Sequence, residues 1–227
     1  MLNYEIPPAV LAPLVPKHTV LDLFDGRALA SIVGFRFLNT RVLGVPVPLH
    51  RHFDEVNLRF YVKRPMSDGS VRRGVVFVRE LVPRAAIAWT ARLCYNEPYS
   101  AVPMHSRVPP TLMASPGRLM YSWLSNAQHQ QVSATAEGEP QPLVPGSEAE
   151  FIAEHYWGYT PQRNGSTVEY QVAHPSWRVW QASAPSFNAD VRGLYGAAFE
   201  APLSAPPRSL FVAEGSPVTV YRPTRLP

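Results

Sequence analysis

Residues 55 to 59 read Glu-Val-Asn-Leu-Arg, so an acid, an amide and a guanidinium recur at every second position. In an extended chain that spacing puts Glu55, Asn57 and Arg59 on one face, with neighbouring side chains roughly 7 Å apart and able to converge on one small polar ligand. A carboxylate so placed can move a proton, and a guanidinium fork can hold a carboxylate group. The same spacing also fits a solvated outer face, and spacing alone favours that second reading.

Other candidates are weaker. Gly44, five residues and then His50-x-His52 match the opening of the cupin metal motif, in which alternate strand positions aim two imidazoles at one metal. The third ligand of that motif should be a glutamate at position 56 or 57, where this chain has Val56 and Asn57, so structural histidines are preferred and no metal is expected. A Gly-x-Ser-x-Gly elbow is missing, Cys94 has no histidine near it in sequence, and the glycine-rich phosphate loops are absent, so no nucleotide cofactor is expected. Arg92, on an alanine-rich segment, fits a snorkelling surface side chain, while His155 beside Tyr156 and Trp157 fits a core cluster.

Strands have to position these groups. Val56, Leu58, Phe60 and Val62 alternate with the polar set, which is the period of a strand with one apolar face. Asp25-Gly26 and Asp68-Gly69 predict hairpin turns, the first joining Thr19–Phe24 to Ala28–Leu38 and the second joining the Glu55 strand to Val71–Val82. Pro83 to Tyr95 reads as a helix, Arg118–Leu124 and Gln131–Thr135 as a strand pair. The capping box Ser147-x-x-Glu150 opens a second helix running through Trp157. Asn164-Gly165 turns into a strand ending near His174, and a last hairpin joins Ser209–Ala213 to Val218–Tyr221. The sum is about ten strands and two short helices, a mainly antiparallel, closed β structure forming one domain over residues 1–227.

Composition narrows the partners. With 46% apolar residues the 227-residue chain can bury a real core, while 25 prolines against 17% charged residues predict a loop-rich surface. The net charge of +4 is carried by scattered arginines, with Lys17 and Lys63 the only lysines and no basic run longer than Arg72-Arg73, which argues against nucleic acid. A single cysteine predicts no internal disulfide and fits a reducing, cytoplasmic setting. With no signal-like segment and no run of about 18 apolar residues, no membrane partner is expected.

Taken together, Phe53 to Val62, Gly74-Val75-Val76-Phe77, Ala91-Arg92-Leu93-Cys94-Tyr95 before Pro98-Tyr99, Glu154-His155-Tyr156 and His174-Pro175-Ser176-Trp177 resemble the YqjF-like family of uncharacterised bacterial proteins, over roughly Leu14 to Tyr221. That family is grouped with acetoacetate decarboxylase, so the resemblance implies a closed antiparallel barrel around a pocket. In the decarboxylase a Gly-Arg-Glu helix leads to a Gly-x-Pro-Lys-Lys segment whose first lysine forms a Schiff base. Ala91-Arg92-Leu93 and Asn96-Glu97-Pro98-Tyr99-Ser100 occupy those places here, and a phenol and a hydroxyl cannot form an imine. The resemblance thus implies a small-molecule pocket for a carbonyl or carboxylate compound, with Glu55 and Tyr99 catalytic and Asn57, Arg59, Arg92 and Ser100 on the ligand. It is not the pocket of a Schiff-base decarboxylase. A non-catalytic binding or interaction module and a cupin-like enzyme using His50 and His52 are the alternatives, and a homo-oligomer is expected.

Overall fold

Two tight turns build the centre of the sheet. Asp25 and Gly26 both take positive φ, 48° and 78°, the pairing a two-residue type I′ hairpin needs. At the second turn Met66 and Ser70 are joined by a backbone hydrogen bond of 2.9 Å, and Asp68 Oδ1 accepts from the Ser70 N–H at 2.9 Å. The computed structural model describes residues 1–38, 41–42, 45–46, 52–84, 98–109 and 117–226. The expected helix over 83–95, together with Arg92, Cys94 and His50, lies largely or wholly outside them.

Eighteen strands are drawn among the described residues: β1 (Leu2–Glu5), β2 (Val20–Leu21), β3 (Leu23–Phe24), β4 (Arg27–Phe37), β5 (Arg41–Val42), β6 (Val45–Pro46), β7 (Phe53–Pro65), β8 (Val71–Val82), β9 (Tyr99–Ala101), β10 (Met104–Arg107), β11 (Gly117–Ser125), β12 (Gln128–Gln141), β13 (Trp157–Pro161), β14 (Thr167–Ala173), β15 (Val179–Asn188), β16 (Ser209–Ala213), β17 (Thr219–Val220) and β18 (Thr224–Leu226). Sixteen of them form one sheet, whose path runs β10-β11-β12-β15-β16-β1-β4-β7-β8-β13-β14-β17. Pairing is antiparallel except where β8 meets β13 and β9 in parallel. The expectation of a mainly antiparallel β fold with short helices therefore holds. The expected closure does not follow from the ladder, because among the described residues the path has two free ends, β10 and β17.

Two other expectations are corrected. The capping box forms, with Ser147 Oγ accepting from Glu150 N–H at 3.2 Å, but the helix spans only Glu148–Ala153. Glu154 leaves helical geometry at φ −93° and ψ 59°, and the aromatic run Tyr156 to Tyr159 enters β13, paired with both β8 and β14. Ser209–Ala213 and the segment around Val220 do not pair with each other. β16 joins β15 and β1, whereas β17 joins β14.

The core lies on both sides of β7. One side packs Val56, Leu58, Phe60 and Val62 against Ala30, Ile32, Val76, Leu81, Tyr121 and Trp123. On the other, Tyr61, Leu29 and Val75 pack against Phe151 and Ile152 of the helix Glu148–Ala153. The sheet is thus covered on both faces at its centre, and the polar row of β7 lies inside.

Candidate functional site

Glu55 and Asn57 are each 1% exposed, so the solvated-face reading of this row fails for both. Burial of a carboxylate costs several kcal/mol unless hydrogen bonds replace its water. Both oxygens of Glu55 are supplied: Asn57 Nδ2 donates to Oε1 at 2.9 Å and Tyr99 Oη donates to Oε2 at 3.2 Å. Three of the residues singled out from the sequence are therefore in direct contact.

A fourth polar group, Glu80, joins them through a register step. β7 and β8 pair normally from Pro65 to Arg59, but Leu58 faces Arg79 while Arg59 faces Phe77, so β8 carries one extra residue, Val78. Without that bulge Val56, not Asn57, would face Glu80. The bulge turns Glu80, 2% exposed, onto the face of Asn57 and sends Arg79 to the opposite one. Glu80 also pairs in register with Tyr99, so Glu55, Asn57, Glu80 and Tyr99 share one face across β7, β8 and β9. Alternation read along Val71–Val82 assigns Glu80 to the apolar parity of Val76 and Val78. No feature of the sequence marks the bulge.

Ser100, adjacent to Tyr99, faces the other way. It pairs with Leu81 and its Oγ accepts from Arg79 Nη1 at 3.0 Å, on the side of the large apolar core. Strand alternation thus turns Ser100 away from the face of Tyr99, against the expectation that both serve one ligand. Arg92 and His50 lie outside the described residues. His52 precedes β7 as an exposed residue, and among the described residues no group of three or more metal-capable side chains gathers.

Arg59 lies on the Glu55 face, but its head runs along β7 toward Tyr61, with Cζ 5.9 Å from that ring. Nη2 reaches the carbonyl of Ile152 at 3.4 Å and Met1 Sδ at 3.9 Å, and Nε is buried without a partner among the described residues. Below Arg59 the polar groups are fully engaged. Ser31 Oγ donates to Asn3 Oδ1 at 2.7 Å and so accepts from Tyr61 Oη at 2.5 Å. Asn3 Nδ2 donates to Ser209 Oγ at 3.0 Å, and Ser209 Oγ to Glu148 at 2.5 Å. The buried polar band thus has a saturated half around Ser31 and an unsaturated half around Asn57 and Arg59.

At the far end of the same face sits a charged hub. Asp22 takes Arg73 Nε at 2.7 Å and Lys63 Nζ at 3.5 Å, with His155 Nε2 at 3.7 Å, beyond hydrogen-bond range. Burial raises the Asp22 carboxyl, but His155 and Arg73 outweigh it and bring the pKa down to about 2. His155 is packed between Tyr61 and Phe151, ring centroids 4.7 and 5.3 Å away. Burial, reinforced by Arg73 and Arg59 and opposed by Asp22, lowers its pKa to about 4. His155 is therefore a neutral core residue. A depression of about 280 Å³ opens beside this hub between Asp22, Arg73, Ser147 and Glu150, and another of about 540 Å³ lies among Tyr4, Phe187, Leu203 and Pro206. Neither is lined by Glu55 or Asn57.

Among solved structures the chain is similar to an acetoacetate decarboxylase-like enzyme from Sphingomonas wittichii RW1, at 13% identity and a TM-score of 0.62, covering 100% of this chain and 89% of that one. It is also similar to the enduracididine biosynthesis enzyme MppR complexed with pyruvate, at 12% identity and 0.60, covering 99% and 83%. A third is acetoacetate decarboxylase from Legionella pneumophila, at 13% and 0.56, covering 99% and 79%. At these identities the likeness shows the fold alone. No curated protein matches the sequence significantly. Among the described residues no helix is long and apolar enough to cross a membrane. A family model matches residues 1–217, so the chain belongs to DUF2071, a family described as an uncharacterized conserved protein, and its fold is that of the acetoacetate decarboxylase-like proteins.

Proposed function

We propose that the chain binds a small carboxylate or carbonyl compound on the polar face of β7 and acts on it by proton transfer at Glu55. The observation that carries this reading is the Tyr99–Glu55–Asn57 set, a carboxylate 1% exposed that is held by two donors. A buried carboxylate held by positioned donors has the geometry of a general acid or base. Glu55 is the acid or base, Tyr99 the hydrogen-bond donor beside it, Asn57 the group that orients it, and Arg59 the cation for an anionic group. Arg92 and a barrel closing over this face belong to the reading through the family resemblance. The pyruvate complex of one structural relative suits a ligand of this size and charge.

A lysine imine has no place in the reaction. Lys63 shares the face of Glu55 but stands eight residues along β7, roughly 26 Å away, and contacts Asp22. Lys17 lies beside the Gly165 turn. The test is a thermal-shift series with pyruvate, acetoacetate and lactate, followed by calorimetry. Binding raises Tm by an amount set by the ligand's excess over its dissociation constant. Glu55→Gln and Arg59→Leu are expected to weaken or abolish the shift, and borohydride is expected to trap no adduct. Absence of any shift, or shifts unchanged in both variants, would remove the site from β7.

A further inference from the structure

Two buried atoms on the unsaturated half of the polar band point to the chemistry of the ligand. Asn57 Oδ1 and Arg59 Nε have no hydrogen-bond partner among the described residues. The orientation of the Asn57 amide is forced by its neighbour. A carboxylate offers no proton, so Asn57 must turn its NH2 toward Glu55 Oε1, 2.9 Å away, and its carbonyl oxygen faces elsewhere. At 1% exposure that oxygen cannot reach bulk water. An unmet buried acceptor is expensive, and a ligand that supplies a donor to it gains what the free protein lacks.

A 2-oxo or 3-oxo acid presents only acceptors, its carboxylate and its carbonyl. It could meet Arg59, but would set its ketone against Asn57 Oδ1, acceptor to acceptor. An acid with a hydroxyl or an amino group in place of the ketone meets both. We propose that this face selects a small acid carrying an O–H or N–H donor near its carboxylate, the donor bonding Asn57 Oδ1 and the carboxylate engaging Arg59. Asn57 and Arg59 lie two positions apart on one strand, roughly 7 Å between Cα atoms, a span that a three- or four-carbon acid bridges with these side chains. The inference rests on the ligand-binding reading of the same face and deepens it by naming the substrate class.

Matched sets test it by calorimetry on the full chain: pyruvate with lactate and alanine, and acetoacetate with 3-hydroxybutyrate and 3-aminobutyrate. The hydroxy or amino member is expected to bind about tenfold tighter or more than its oxo partner, with the two arms telling O–H from N–H. Asn57→Leu is expected to bring that ratio to within about threefold, whereas Arg59→Leu weakens all members together. An oxo acid that binds as tightly as its partners overturns the inference while leaving the binding reading intact, and so does a ratio that survives Asn57→Leu. If no member of either set binds, the binding reading fails and the inference falls with it. Should Asn57→Leu not fold, the wild-type ratio decides alone.

Discussion

His155 gives the sharpest quantitative test of how this interior is built. The side chain is buried against Tyr61 and Phe151 with a folded-state pKa of about 4, against an ordinary value of 6.5. Because the folded value is depressed, the neutral ring contributes fully above pH 6.5. Stability is lost as pH falls from there toward 4, where the unfolded chain takes up a proton that the folded protein refuses. Integrating between pH 7 and pH 5 gives a loss of about 2 kcal/mol from this one group. Asp22, with a pKa of about 2, stays charged throughout that interval and adds nothing. The buried Met1 amino group, lowered to about 5, does titrate there, so the measurement must be a difference. Urea unfolding followed by circular dichroism at both pH values, on the wild type and on His155→Phe, removes every shared contribution while keeping a ring in the stack. The wild type is expected to lose about 2 kcal/mol more than the variant. Equal losses would mean that the folded protein accepts the proton on His155, and the account of this core would be wrong.

Two further substitutions probe the sheet that carries the site. At Gly74 an added Cβ would lie 2.6 Å from the Trp157 carbonyl oxygen and 2.6 Å from the Tyr159 ring. The carbonyl is backbone of the paired strand β13, so Gly74→Ala should cost about 1–3 kcal/mol and lower Tm by several degrees, and a melt unchanged within a degree would contradict that packing. Glu169, 4% exposed, bridges Arg64 at 2.9 Å and Arg72 at 2.5 Å, with Arg72 stacked 4.1 Å from the Trp157 ring. Glu169→Leu strands two guanidiniums, but both are partly exposed and can regain water, so about 3 kcal/mol is expected, the low end for breaking a buried pair. An unchanged urea midpoint would show that the bridge contributes no net stability.

The parts of the fold written in local chemistry were legible in the sequence. The Asp-Gly and Asn-Gly turns, the strands of β4, β7, β8 and β14 and the Ser147 cap all follow from residues within a few positions of one another. What could not be read is set by partners far away in sequence. β15, which holds Pro185 and Ala184 at a φ of 46°, lacks a strand-like pattern, yet it is held between β12 and β16. Tyr156 and Tyr159 continue the helical spacing of Ile152 in sequence, and only the pairing of Trp157–Pro161 with β8 and β14 makes that segment a strand. For the site, alternation alone placed Glu55, Asn57 and Arg59 on one face and left open whether that face was wet. The resemblance to a pocket-enclosing family favoured the interior, where Glu55 and Asn57 lie. Tyr99 was read from that resemblance and meets Glu55, while Ser100, read the same way, is carried to the opposite face by the alternation that places Tyr99.

Marginal stability is the reason the unsaturated half of the polar band carries weight. Domains are stable by only about 5–15 kcal/mol, and each buried polar atom without a partner costs about 1–3 kcal/mol. The same face holds Ser31, Asn3 and Tyr61 in a closed set of hydrogen bonds ending on Glu148, so this sheet can saturate a buried polar group within two strands of Asn57. Apolar side chains at positions 57 and 59 would extend the cluster of Leu29, Tyr61 and Val75 without that cost. The bulge at Val78 sets a second glutamate, Glu80, on this face, where an unbulged ladder would have left it on the face of Val56. A chain folding for stability alone gains nothing from these features. Under the binding reading proposed above, the fixed carboxylate of Glu55 and the open acceptor and donor of Asn57 and Arg59 are what a small polar ligand would use.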